Sequence, residues 1–404
     1  MIRKTRDEHL FAPGPKRILA IDGGGIRGIL TVQILKRMED MLRARQPEHA
    51  RASFRLCDYF DLIGGTSTGA IIAACLALGR SVDEIAALYQ KLGACIFEPT
   101  LFRKGFMRAK FSDKPLRDAL EAEFAGATLG SENLHTGLGI VTKRLDTGSA
   151  WILHNNPRAR YYAPAPGSNA LANRDYSLAQ VVRASTAAPH YFDGEEIEIA
   201  LGAGGKTQKG SFVDGGVSPH NNPSLQLLLL ATLDGHRLNW APGADNLLLI
   251  SLGTGRTEIK PRPEPEGLFK FDIADALGKR AAVNAVLSLG ALMNDCADLV
   301  ELLMQWFSAS APGRVIDREV GDLSNDLAGG HAMMTYARYN AVFDQRWLQD
   351  ELALDYSDAR VQQLDVMDDP KNMDDLSAIG RAVGLSLVKE SHFPQRFNPS
   401  PLPG

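Results

Sequence analysis

Cysteine, charge of one sign and long apolar runs are all scarce in this sequence of 404 residues. The formal net charge is only −4, which argues against the strongly basic surface of a nucleic-acid-binding protein. The four cysteines follow neither a metal-binding spacing nor a disulfide framework, and the first three are predicted to be buried, reduced thiols. They are Cys57, Cys75, Cys95 and Cys296. What remains is an ordinary globular composition, 45% hydrophobic, with enough length for a large core.

No stretch of the sequence is long and apolar enough to span a bilayer. The longest apolar stretches, 70–78 and 225–233, fall well short of the roughly 20 residues that a spanning helix needs. Residues 1–8 are largely charged and lack the apolar core of a signal peptide. The sequence therefore predicts a cytoplasmic protein.

Metal-ligating residues form no cluster along the chain. The aspartates that stand near the ends of predicted strands are isolated. They are Asp22, Asp61, Asp146 and Asp214. The sequence predicts neither a metal site nor a cofactor.

Short apolar runs alternate with helix-like segments along the chain. The predicted strands are 17–21, 59–63, 138–142, 150–154, 197–200, 210–213 and 247–252, and the predicted helices include 29–42, 70–78 and 178–184. This alternation predicts an α/β fold in which helices cover both faces of a mostly parallel central sheet. A proline-rich stretch, 260–266, precedes a more helical C-terminal third.

Two glycine-rich turns each follow a predicted strand and precede a predicted helix. The second, 64–69, contains a G-x-S-x-G pattern in which Gly65 and Gly69 flank Ser67. Such a strand-to-helix turn raises a serine hydroxyl clear of the sheet, and the helix N-terminus favours negative charge on it. The first turn, 22–28, reads Asp-Gly-Gly-Gly-Ile-Arg-Gly and can aim backbone N–H groups at an anion. A serine nucleophile beside an oxyanion cradle is typical of acyl-transfer enzymes.

Each turn also has a simpler interpretation. The spacing of Gly23, Gly25 and Gly28 satisfies the G-x-G-x-x-G fingerprint of dinucleotide-binding proteins. That fingerprint calls for a strand ending in an acidic residue about twenty positions on, whereas 40–54 is polar and helix-like. A nucleotide-binding or regulatory module using the Gly23–Gly28 loop therefore stays as an alternative, as does a plain tight turn. Ser67 could likewise be a simple helix cap.

Asp214 is the candidate base for Ser67. It ends a predicted strand in the sequence Phe-Val-Asp-Gly-Gly, which on its own is also compatible with a turn. A carboxylate with the reference pKa of about 3.9 is a weak base, but a dry site would raise that pKa. Four histidines follow Asp214 in the chain, so a histidine-dependent esterase of α/β-hydrolase type stays open. They are His220, His236, His331 and His392.

Taken in order, the D-G-G-G-x-R-G loop, the G-x-S-x-G turn and the D-G-G aspartate resemble the patatin-like phospholipase family. Residues 184–189 and 336–340 are also similar to that family, so the resemblance extends from about 17 to about 387. It implies a three-layer patatin-like fold and a serine lipid acyl hydrolase with a Ser67–Asp214 dyad and no catalytic histidine. It further implies an oxyanion loop formed by Gly23, Gly24, Gly25, Arg27 and Gly28.

The resemblance also implies a domain organisation and a class of partner. We expect one patatin-like domain over residues 1–404, with a core over about 17–345 and a helical extension, 346–404, packed on it. The implied substrate is a phospholipid or another acyl ester, met by peripheral contact with a membrane. Residues 102–111 interleave four cations with aromatic residues, which is compatible with contacts to anionic lipid and equally with a solvated loop. The amphipathic stretch 289–307 has an acidic polar face, which favours core packing over lipid contact.

Overall fold

The computed structural model describes residues 3–96, 113–189, 191–202, 206–257, 276–310 and 313–399. For residues 94–96 and 276–290, which include Cys95, it describes the backbone alone. Two stretches singled out from the sequence, 102–111 and 260–266, lie outside the described residues. Within the described ranges, no helix combines the length and the apolar character needed to cross a membrane.

The secondary structure alternates as the sequence predicts. The strands are β1 Lys16–Ile21, β2 Leu62–Thr66, β3 Gly137–Arg144, β4 Ala150–His154, β5 Glu195–Leu201, β6 Thr207–Asp214, β7 Leu247–Leu252, β8 Ser308–Ser310 and β9 Met334–Tyr339. The helices are α1 Arg6–Phe11, α2 Gly28–Ala44, α3 Glu48–Arg51, α4 Thr68–Ala77, α5 Val82–Ile96, α6 Asp113–Phe124, α7 Leu178–Ser185, α8 Ser224–Thr232, α9 Ala276–Trp306, α10 Gln345–Leu352, α11 Asp358–Leu364 and α12 Met373–Leu387.

The strands form one sheet in the order β5-β6-β3-β2-β1-β7-β9-β8, with β4 paired to β3 outside this path. From β3 to β8 neighbouring strands are parallel, which confirms the predicted mostly parallel α/β sheet. At the other end β4, β5 and β6 are antiparallel. For the pairs β3–β4 and β5–β6 the reason is connection length, since their links are too short for a parallel crossover.

The two faces of the sheet bury separate hydrophobic clusters, as a three-layer fold requires. Along β1, Leu19 and Ile21 join the cluster that includes α2 and α4. Ile18 and Ala20 point to the opposite face and join a second cluster with α8. Because successive side chains of a strand alternate between faces, a strand covered on both sides has a continuous apolar run, such as 18–21 of β1.

Strand β2 begins later than the sequence predicts. Its predicted range, 59–63, is too early because the observed strand starts at Leu62 and continues through Gly64 and Gly65. Tyr59 and Phe60 instead precede the strand and pack edge to face, with ring centroids 5.0 Å apart. The glycines are needed because a Cβ on Gly64 would lie 2.8 Å from the Gly139 carbonyl of β3. The shift places Ser67 immediately after the strand.

The C-terminal helices contact the N-terminal half directly. Leu376 and Ile379 of α12 are fully buried in the same cluster as Ile34 of α2. Gly380 allows this close approach, because a Cβ there would lie 2.9 Å from the Leu30 Cα. The division into a core and an extension stays a prediction.

The predicted segment 289–307 lies within α9. Its described side chains divide as an amphipathic helix does, with Val300 and Met304 buried while Leu292 and Leu299 are more than half exposed. Cys57 and Cys75 are buried and free, and burial raises the pKa of both thiols.

Candidate active site

Ser67 stands on a sharp turn between β2 and α4. Its backbone has φ +55° and ψ −127°, a conformation that residues other than glycine seldom adopt. The flanking glycines are required for close packing, since a Cβ on Gly65 would overlap the Gly69 carbonyl. A Cβ on Gly69 would overlap two backbone carbonyls at the end of β1. It would lie 2.6 Å from the Asp22 carbonyl oxygen and closer still to that of Ile21. The geometry is that of a nucleophile elbow, and the Ser67 hydroxyl makes no capping bond to α4.

The Ser67 hydroxyl donates a hydrogen bond to Asp214 Oδ2 over 2.5 Å. Asp214 ends β6, where antiparallel pairing sets it opposite Thr142 of β3. Its second carboxylate oxygen accepts the Gly216 N–H at 2.6 Å, and its own N–H donates to the Ala187 carbonyl at 3.0 Å. The carboxylate is therefore fixed at both oxygens, with one of them on the serine.

Burial shifts Asp214 towards the behaviour of a base. Desolvation is the main cause and raises the pKa of its carboxyl to about 6, against the hydrogen bonds from Ser67 and Gly216 and the charge of Arg183, which lower it. An aspartate with this pKa is ionised at neutral pH and accepts a proton more readily than a solvated one.

Ser185, at the end of α7, supports the elbow from behind. The Ser67 N–H donates to Ser185 Oγ at 2.8 Å, and the Ser185 hydroxyl donates to the Val141 carbonyl of β3 at 2.6 Å. Together with Ala187, this makes residues 184–189 a support for both Ser67 and Asp214. The sequence pointed to this stretch only by family resemblance, because no general pattern marks a serine that accepts a backbone N–H.

The first glycine-rich turn lies directly against the serine. A Cβ on Gly23 would approach the Ser67 Cβ to 3.0 Å, and Gly24 and Gly25 line the same cleft as Ser67 and Asp214. The Gly23 N–H donates to the Asn221 carbonyl at 3.2 Å. Within the described parts of the chain, no acceptor is found for the N–H groups of Gly24 and Gly25. Both N–H groups are therefore available to a ligand in the cleft.

An apolar cleft opens around Ser67. Its described lining is mainly aliphatic and aromatic: Ile71, Leu92, Leu116, Phe192, Val217 and Met293. Apolar walls around a few convergent polar groups are the usual form of a small-molecule site, and an acyl chain fits such walls.

The patatin-like phospholipase family model matches residues 19–228, which is about half of the chain and contains all of the residues described above as the elbow, the glycine loop and Asp214. The chain belongs to this family. The membership classes it as an enzyme of phospholipase, or lipid acyl hydrolase, type.

Individual relatives match a similar part of the chain. The cUMP-AMP-activated phospholipase of Escherichia coli is 33% identical over 261 residues, which are 63% of this chain and 68% of that protein. Calcium-independent phospholipase A2-gamma of Oryctolagus cuniculus is 32% identical over 61% of this chain but only 29% of its own length. Patatin-17 of Solanum cardiophyllum is 30% identical over 59% of this chain and 60% of its own. Among solved structures, VipD from Legionella pneumophila covers 91% of this chain and 67% of its own, with 14% identity and a TM-score of 0.31.

Two members of the family's D-G-G-G-x-R-G motif point away from the cleft in this chain. The Arg27 side chain is 4% exposed and donates from Nη1 to Asp365 Oδ1 at 2.6 Å. Its guanidinium lines a separate polar cavity with Thr254 and Asn340. The Gly28 N–H is bonded within the following turn, to the Gly25 carbonyl. Neither Arg27 nor Gly28 is placed with the free N–H groups beside Ser67.

Asp22, at the end of β1, anchors the start of the glycine loop. Its carboxylate accepts from Arg338 Nη2 at 2.6 Å, and Arg338 also lies 3.3 Å from Glu301. Burial raises the pKa of Asp22 against the opposing effect of the Arg338 charge. Arg338 lies in the stretch 336–340, so this part of the family pattern is a buried ionic network behind the loop.

The four histidines that follow Asp214 have other contacts. His236 packs edge to face on His154, and the Tyr339 hydroxyl bonds the His392 ring at 2.8 Å. His331 is exposed, and His220 accepts the Thr66 hydroxyl at its backbone carbonyl. Among the hydrogen bonds of the described residues, none joins these four side chains to Ser67 or Asp214. The described residues also contain no cluster of three or more potential metal ligands.

Proposed function

We propose that this protein is a serine lipid acyl hydrolase that uses a Ser67–Asp214 dyad on the fatty-acyl esters of phospholipids or related lipids. The observation that carries the proposal is the 2.5 Å hydrogen bond from the Ser67 hydroxyl to Asp214, at a nucleophile elbow inside an apolar cleft. An acyl chain would lie along the apolar walls, which would bring its ester carbonyl to Ser67.

In the first half-reaction Ser67 Oγ bonds to the carbonyl carbon while Asp214 takes the hydroxyl proton. The negative charge that develops on the carbonyl oxygen is stabilised by the N–H groups of Gly24 and Gly25. The carbon–oxygen bond to the lipid alcohol then breaks, and Asp214 returns the proton to the leaving alcohol. An acyl-enzyme on Ser67 is left.

In the second half-reaction a water molecule attacks the acyl-enzyme. Asp214 takes a proton from this water, the same two N–H groups hold the new oxyanion, and the proton passes to Ser67 as the fatty acid leaves. A base with a pKa of about 6 suits both directions of proton transfer near neutral pH.

The two alternatives find less support in the contacts. The Gly23–Gly28 loop packs against the Ser67 turn and against Asn221, so a dinucleotide pyrophosphate would have to share its space. Two relatives are nevertheless a cUMP-AMP-activated and a cGAMP-activated phospholipase, so we include nucleotide activation in the test. For a histidine-dependent mechanism, the described residues offer no hydrogen bond from the four histidines after Asp214 to Ser67.

Hydrolysis of a phospholipid panel tests the proposal. Vesicles and detergent micelles of defined lipids would be incubated with wild type and with Ser67→Ala, with and without cUMP-AMP or cGAMP. We expect fatty-acid release that falls on the order of 10⁶-fold in Ser67→Ala and labelling of wild type alone by a fluorophosphonate probe. Ser53→Ala, which changes an exposed serine, is the matched control. Equal activity of wild type and Ser67→Ala would refute the proposal, and sedimentation with the vesicles would test the expected peripheral membrane contact.

A further inference from the structure

The glycine loop rests on a segment from the far end of the chain. We call residues 365–368, between α11 and the turn before α12, the C-terminal strap. The Ile26 N–H donates to the Met367 carbonyl at 2.8 Å, and Arg27 donates to the Asp365 carboxylate at 2.6 Å. Arg27 Nη1 also donates to the Asp365 backbone carbonyl at 3.4 Å, so three hydrogen bonds tie the loop to the strap.

The strap also packs directly against Gly25, one of the two residues that carry the free N–H groups. Gly25 has φ +59°, and a Cβ there would lie 3.1 Å from the Met367 Cβ and closer still to the Met367 carbonyl. On its other side the Gly25 carbonyl accepts the Tyr89 hydroxyl at 2.8 Å. Gly25 is therefore clamped between Tyr89 and the strap, and its orientation depends on both.

In the ion pair between Arg27 and Asp365, Arg27 is the side chain that burial holds in place. Its guanidinium is almost wholly buried, and it also lies 5.9 Å from the centre of the Phe343 ring, whereas the Asp365 side chain is 43% exposed. Burial lowers the pKa of Arg27 and the Asp365 charge opposes that shift. A buried guanidinium that loses its acidic partner must find another or move, and a move would carry the loop with it.

We propose that Arg27 and Asp365 are positioning residues: their pair seats the C-terminal strap on the glycine loop, so that the N–H groups of Gly24 and Gly25 face the oxyanion. Arg27 then contributes to turnover without touching substrate. The inference rests on the proposed function, and it gives residues outside the matched range 19–228 a part in the chemistry. Met367 and Asp368 also line the cleft, so the same strap forms one of its walls.

Steady-state kinetics of Asp365→Asn, Asp365→Glu, Arg27→Gln and the double variant Arg27→Gln/Asp365→Asn test the proposal. Loss of one oxyanion donor costs about 10²–10³-fold in kcat. N–H groups that are present but misoriented should cost less, about 10–100-fold in kcat, with KM changed by less than about threefold. The rate of fluorophosphonate labelling should fall by the same factor, because that adduct also places an oxygen at the oxyanion site. The double variant should be no worse than the poorer single variant, and Asp365→Glu should retain most activity.

The exposed Asp350→Asn is the matched control for loss of one surface carboxylate. Wild-type kcat in folded Asp365→Asn and Arg27→Gln would overturn the inference. So would multiplicative losses in the double variant, because two independent effects would then be acting.

Hydrogen exchange separates this inference from the proposed function. If wild type shows no Ser67-dependent hydrolysis, the proposed function fails, but the peptide containing Ile26 still reports the contact with Met367. Faster exchange of that peptide in Asp365→Asn, with the Asp350→Asn control unchanged, would support the seating of the strap. Unchanged exchange would overturn it.

Discussion

The serine elbow is held mainly by its own backbone, whereas the glycine loop beside it is held by side chains and carbonyls from distant parts of the chain. At the elbow, a Cβ added to Gly65 would meet first the carbonyl of Gly69, a residue of the same turn. At the loop, a Cβ added to Gly24 would meet Thr254, and a Cβ added to Gly25 would meet Met367. The nucleophile is thus fixed locally, while the proposed oxyanion donors depend on the assembled fold.

The difference follows from what each turn has to do. A nucleophile needs one exposed atom at a strand end, which a short strained turn supplies. Oxyanion donors need backbone N–H groups whose usual acceptors have been taken away, so something else must hold that backbone open. Here Asn221, Thr254 and Met367 do so by bonding or crowding the neighbouring groups. Substitutions that alter one turn but spare the other therefore test this contrast.

Asp214→Asn should have the largest effect, because the amide keeps the shape beside the elbow but cannot accept the Ser67 proton. We expect turnover to fall by at least about 10²–10⁴-fold, the usual cost of a lost general base. In wild type, kcat/KM should fall tenfold per pH unit below an apparent pKa near 6, since protonated Asp214 is no base. A folded Asp214→Asn enzyme with near wild-type turnover, or a wild-type profile flat to pH 4.5, would contradict the dyad.

Gly65→Ala and Gly24→Ala should each cost at least about 10²-fold in kcat, but only the second should be rescued by a second change. The new methyl group of Gly24→Ala meets the Thr254 side chain, so Gly24→Ala/Thr254→Gly should recover activity. The methyl group of Gly65→Ala meets the backbone of Gly69 and Ala70, which no substitution removes. Thr254→Gly alone is the control, and failure of the double variant to exceed Gly24→Ala would break the comparison.

Ser185→Ala should weaken a support that the elbow draws from α7. It leaves the Ser67 N–H and the Val141 carbonyl without their partner, which costs about 1–3 kcal/mol of unfolding free energy. Urea denaturation followed by fluorescence measures this loss, with the exposed Ser53→Ala as control. An unfolding midpoint equal to that of wild type would show that the elbow needs no help from α7.

Removing histidines should change least. Substituting His220, His236, His331 or His392 by Gln should keep kcat within about tenfold of wild type, which is less than the loss of a general base. Burial lowers the pKa of His220, so it carries no charge at neutral pH that its removal would take away from the site. One folded histidine variant as inactive as Ser67→Ala would replace the dyad with a triad.

The contrast also explains which features the sequence could predict. The elbow is legible because its determinants, Gly65, Ser67 and Gly69, lie within five positions. The parallel sheet was predictable because 18–21 of β1 and 247–250 of β7 are continuous apolar runs, which is typical of strands buried on both faces. The boundary of β2 was missed because Gly64 and Gly65 interrupt the apolar run while serving close packing.

The support of the glycine loop could not be predicted in this way. Arg27 stands in a loop whose sequence predicts anion binding. The residue type alone cannot show that its side chain instead pairs with Asp365, which is far along the chain. Which N–H groups of the loop are free depends on Asn221 and on the turn after Gly25, both of them tertiary features. Local patterns therefore indicated the position of the loop, and only packing shows how it is held.

The unusual backbone of Ser67 means that the protein gives up stability to be an enzyme. A non-glycine residue at φ +55° and ψ −127° costs on the order of 1–3 kcal/mol, and every copy of the folded chain carries this cost whether or not substrate is bound. Glycine at this position would release most of it. Ser67→Gly should therefore resist urea better than Ser67→Ala by about 1–2 kcal/mol, although both lack the hydroxyl and both are inactive. Selection for stability alone would therefore favour glycine at position 67, and that substitution removes the nucleophile.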